Sequence, residues 1–137
     1  MRIAVAAAAV TLIAKVHCQV AVVEGTITES RSPSEGPAAR AFFQAVANCL
    51  SGYGLPVTKL SDEDVAAGRL KGHAIAVFPY SAVWSSEEAD ALLSFVRDGG
   101  KVLVFYTAPS QVYRALGADE VTLIRAAYDG QLAEMRR

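Results

Sequence analysis

Cysteine is scarce in this sequence, and the two present, Cys18 and Cys49, cannot build a disulfide scaffold. Neither stands at zinc-ligand spacing from a second cysteine or histidine, so a structural metal site is not expected. Excess charge of one sign is also lacking. Thirteen Lys and Arg face fourteen Asp and Glu, for a formal net charge of -1, and no basic run occurs. Counterion release, which drives nucleic-acid binding, has little to act on, so nucleic acid is not an expected partner. There is no apolar run of about 20 residues, so no stable membrane span is expected. No glycine-rich phosphate loop, internal repeat or low-complexity segment is visible, and no cofactor is implied.

What is present is the composition of one globular domain, with 53% hydrophobic and 20% charged residues in 137. The first 18 residues stand apart. Met1-Arg2 precedes an apolar run from Ile3 to Ala14, with Val16 and Cys18 at the small-residue cleavage positions. This is the pattern of a secretory signal peptide cut near Cys18/Gln19, which would export the protein to the periplasm or the exterior. His17 does not fit the small residue that lipidation wants before a cysteine. The competing reading, a first cytoplasmic Rossmann strand over Ile3 to Val10, puts Ala7, Ala8 and Ala9 where a dinucleotide site needs glycine.

From Gln19 to Gly117 short apolar runs alternate with amphipathic stretches, the signature of βα units on a parallel sheet. Gln19 to Glu24 reads as the first strand, and Gly25 to Gly36, rich in Ser, Pro and Gly, as a loop. Pro37 suits the first turn of a helix in which Phe42, Phe43, Val46, Ala47 and Leu50 form the apolar stripe, ended by Gly52 or Gly54. Pro56 to Leu60 is a second strand, and Ser61 with Asp64 is a capping box opening a small helix closed by Gly68. A third strand lies within His73 to Tyr80, its apolar AIAVF fit for burial on both faces. Ser85 with Glu88 caps the next helix, which stops at Asp98-Gly99-Gly100. Lys101 to Tyr106 is the strongest strand signal, and Pro109 to Leu116 a short helix capped by Gly117. Residues 118–137 form a tail of weaker pattern, a possible continuation truncated at Arg137, whose Val121, Leu123 and Ile124 fit an edge strand or a helix.

In that order, QVAVVEG, LSDEDVAAGRLKGHAIAVFPY, FVRDGGK and VLVFYTAPS…LG resemble the class I glutamine-amidotransferase-like superfamily. More narrowly they look like the amidotransferase-like domains found beside carbohydrate-processing modules in large bacterial exported proteins. The resemblance implies a flavodoxin-like α/β three-layer sandwich with a parallel sheet in strand order 2-1-3-4. It also implies an elbow cysteine after the strand KVLVFY, with a histidine and an acid downstream. Here the elbow reads Phe105-Tyr106-Thr107-Ala108-Pro109-Ser110, with neither cysteine nor glycine, and no histidine follows Gly117. Cys49 falls mid-helix on another segment, where a small buried hydrophobe is expected. The family's glutamine hydrolysis therefore has no nucleophile, and no catalytic residue is assigned.

Candidate ligand groups are those at the carboxyl ends of the strands, where open α/β sheets bind ligands. They are Glu24, Tyr80, Trp84, Tyr106 and Thr107. Aromatic faces with a few polar groups suit sugar rings, and the same aromatics would equally close the top of a core. A hydrolase would need Thr107 or Ser110 as nucleophile with Glu24, Glu29 or His73 as base, whereas the simpler role for Thr107 is to cap the helix near Pro109. Asp62-Glu63-Asp64 and Glu87-Glu88 sit in first turns, where the helix dipole favours carboxylates. The expected function is a non-catalytic amidotransferase-like binding or interdomain module, its partner a carbohydrate or an adjoining catalytic module.

Overall fold

A computed structural model describes residues 19–118. The signal-peptide reading and the tail from residue 119 onward lie outside the described residues. Four parallel strands, β1 (Val20–Glu24), β2 (Val57–Ser61), β3 (Ile75–Phe78) and β4 (Lys101–Val104), form one sheet in the order β2-β1-β3-β4. That is the α/β order expected of a flavodoxin-like fold. The register pairs Val22 with Lys59 on one side and with Val77 on the other, and Val77 with Leu103.

Five helices complete the order: α1 (Thr26–Arg31), α2 (Gly36–Gly52), α3 (Asp62–Ala66), α4 (Ser86–Arg97) and α5 (Ser110–Ala115). Side chains alternate across a strand, so β1 feeds two cores. Val20 and Val22 pack with Val77 against Phe43 and Ala47 of α2. Ala21 and Val23 join Leu60, Ala76 and Phe78 against Val65, Leu92, Phe95 and Val112 from α3, α4 and α5. The sheet is thus the middle of three layers. β3 is almost wholly buried, as its apolar run requires.

Both expected capping boxes are present. The Ser61 hydroxyl accepts from the Asp64 amide and the Ser85 hydroxyl from the Glu88 amide, while each acid reaches back to the backbone of its capping serine. Three expectations need correction. The Gly25–Gly36 stretch is not all loop, because Thr26–Arg31 forms α1, whose first turn is held by a distant carboxylate rather than by a cap of its own. Cys49 is exposed rather than buried. Phe42 is 53% exposed while Phe43 is buried, since neighbours on a helix stand about 100° apart and cannot both face one sheet.

β4 has β3 as its one neighbour among the described residues. The residues of β4 and its extension that face the α2 side are bare, with Leu103 53% and Phe105 64% exposed. α2 covers β1, β2 and β3 and does not extend over this edge.

Candidate functional site

The carboxyl ends of the strands form one rim, and α1 and the first half of α2 border it. Gly25 lets the chain turn from β1 into α1. A β-carbon there would lie 2.5 Å from the Tyr80 carbonyl oxygen, so glycine is required by close approach. Thr28, fully buried, then anchors α1 to the loop after β3, its hydroxyl accepting from the amides of Ala82 (3.0 Å) and Val83 (3.1 Å).

At one end of the rim is an ionic corner. Glu29 of α1 accepts from Nε (3.0 Å) and Nη2 of Arg40 on α2. The Glu24 carboxyl is raised above the ordinary range by burial first and Glu29 second, with Arg40 and Lys59 pulling the other way. A cavity of about 190 Å³ opens here between Glu29, Gly36, Pro37 and Arg40. At the other end is an aromatic stack. Tyr80 lies between Phe42, 5.6 Å away, and Tyr106, 4.1 Å away with the planes 12° apart. The Tyr106 hydroxyl donates to Glu35 Oε1 at 3.3 Å. The Tyr80 phenol is pushed up to about 12, first by its hydrogen bond with Tyr106 and then by burial. Phe42 and Tyr106, the outer rings, are about half exposed.

Of the five residues expected from the sequence, Tyr80 and Tyr106 are brought into direct contact, and Glu24 stands on the same rim in the ionic corner. Trp84 and Thr107 meet differently. The Trp84 indole N–H donates to the carbonyls of Ser81 (3.0 Å) and Thr107 (2.9 Å), and its ring stacks on Phe78 at 5.0 Å, so Trp84 closes the core. Thr107 does not cap α5, which corrects the capping expectation. The N-cap is Pro109, without a side-chain cap, and the Ala108 amide donates instead to the Tyr113 hydroxyl. Phe42, Glu35 and Arg40 were not singled out from the sequence as site residues. The adjacent Phe42-Phe43 pair was the available signal, since one of the two had to leave the sheet-facing stripe.

Neither Glu24 nor His73 is brought to Thr107. β3 separates β1 from β4, which sets Glu24 two strand spacings, about 10 Å, from the Thr107 turn. His73 precedes β3 at the opposite end of the sheet, its Nδ1 3.2 Å from the Leu70 carbonyl. The turn after β4 carries no strain of the elbow kind, because no non-glycine residue among those described has a positive φ. No group of three or more metal-ligating side chains occurs among the described residues, and no helix among them is long and apolar enough to cross a membrane. No family model, curated protein or solved structure matches the chain.

Proposed function

We propose that this chain is a non-catalytic, amidotransferase-like binding module of an exported protein, and that the rim of its sheet holds a carbohydrate ring. The observation that carries this reading is the Phe42–Tyr80–Tyr106 stack, with half-exposed outer rings and the Glu35 carboxylate beside them. Aromatic faces pack on the C–H face of a sugar, and neighbouring carboxylates and phenols accept its hydroxyl hydrogens. Charge balance and the absence of a basic stripe argue for a neutral ligand over a polyanion. The turn after β4 carries no thiol, and Glu24 and His73 stand away from Thr107, which favours a binding role.

Calorimetric titration with a panel of oligosaccharides tests the proposal, using the parent chain and Tyr106→Ala. Saturable binding of at least one saccharide is expected, weakened by about tenfold or more in the variant, a loss of about 1.4 kcal/mol. Absence of binding across the panel, or equal binding by Tyr106→Ala, sinks it. A second reading, packing against an adjoining catalytic module, is favoured by the bare Leu103 and Phe105 next to Tyr106. It predicts that Leu103 and Phe105 substitutions weaken module contact while saccharide binding is unchanged or absent.

A further inference from the structure

Asp62 and Glu88 both have no solvent exposure, although the first opens α3 and the second lies in the first turn of α4. Asp62 Oδ2 accepts from the Ile27 amide at 2.8 Å, and the Thr26 hydroxyl stands 3.4 Å from it while donating to Glu63 at 2.8 Å. Glu88 Oε2 accepts from the Ser85 amide at 3.4 Å. The other two oxygens, Asp62 Oδ1 and Glu88 Oε1, are buried and receive no hydrogen bond, on helices α3 and α4 that pack against each other. Ionised carboxylates are acceptors only, so with no donor offered to either buried oxygen the proton must be carried by one of the two acids. Leaving both ionised would place two like charges together out of water.

We propose that Asp62 and Glu88 share one proton, and that this buried pair is a proton-operated latch holding α1 onto α3 and α4. Glu88 is the acid and Asp62 the anion at neutral pH. Burial first, then the charge of Asp62, pushes Glu88 up to about 9. Burial also raises Asp62, only to about 6, because the Ile27 amide and the neighbouring Glu88 stabilise its anion. Glu63 of α3, itself acidic, is a further ionisable group acting on both.

The latch reaches the rim. Asp62 holds the first turn of α1 through Ile27, and α1 carries Glu29 into the ionic corner. Both carboxyl groups bind protons more tightly in the fold than in the unfolded chain, where they titrate at ordinary carboxylate values. The native state therefore holds more protons above that range, and stability falls as pH rises from there through about 9. Loss of the shared proton leaves two buried anions, whose repulsion drives α3 and α4 apart and disturbs the first turn of α1 that Asp62 holds.

Thermal midpoints from about pH 5 to about pH 9.5 for the parent chain and Glu88→Gln test the latch. The glutamine amide donates to Asp62 at every pH, so the variant is expected to lose the alkaline fall that the parent shows. The Ile27 amide resonance should shift with alkaline pH in the parent alone. An identical alkaline fall in both proteins overturns the proposal. Should Glu88→Gln not fold, ¹³C titration of the parent's side-chain carboxyls decides. A Glu88 signal moving well above the ordinary carboxylate range supports the latch, and one moving within that range overturns it.

Discussion

At Gly25 a single hydrogen atom in place of a side chain lets β1 turn beneath the Tyr80 carbonyl. Its φ of -74 is open to any residue, so the constraint is space and not backbone conformation. Gly25→Ala is expected to destabilise the fold by about 1–3 kcal/mol, the usual range for overpacking a tight site, as read from denaturant midpoints. A midpoint equal to the parent's would show that the β1–α1 turn relaxes without loss. Gly36 is tight as well, since a β-carbon there would lie 3.1 Å from Glu29 backbone atoms, which is how α1 and α2 come close enough for Arg40 to reach Glu29.

Elements of similar sequence character meet different fates according to their place in the sheet. β3 and β4 are both short apolar strands, yet β3 lies between two strands and two helix layers while β4 has one bare face. Burial sets the cost of losing an apolar side chain, so two leucines give a direct comparison. Leu92→Ala, in the fully buried face of α4, should cost about 2–5 kcal/mol. Leu103→Ser on β4, half exposed, should cost well under that. Chemical denaturation of both variants checks the ranking, and equal losses would mean that the β4 face is covered in solution.

Across the whole molecule the rim joins three segments far apart in the chain: the β1–α1 turn with α2, the loop after β3 and the turn after β4. Thr28 to Ala82 and Val83, Trp84 to Thr107, and Tyr106 to Glu35 are the bonds that join them. The proposed export also belongs to this scale, since it concerns which part of the sequence joins the mature fold. Protein made in a secreting host should begin near Gln19, just before β1, on N-terminal sequencing. Recovery of a soluble cytosolic chain with Met1 intact would refute it.

Local patterns in the sequence determined the strands, the helices from Gly36 onward and both capping boxes, because hydrophobic period and turn residues act over a few residues at a time, whereas the strand order was an expectation of the family resemblance. The sheet-end location of Tyr80, Tyr106 and Glu24 followed from the same reading. Only the tertiary structure decided what these residues touch. Tyr80 meets Tyr106 and Phe42 because β3 and β4 are neighbours and α2 crosses beside them, whereas Trp84 is turned inward to two carbonyls. α1 was hidden in a polar stretch because its stability comes from Asp62 and from the loop that Thr28 holds, partners 35 and 54 residues away in sequence. Asp62 and Glu88 looked alike as first-turn acids, and only the packing of α3 on α4 buried them together and left them one proton between two carboxyl groups.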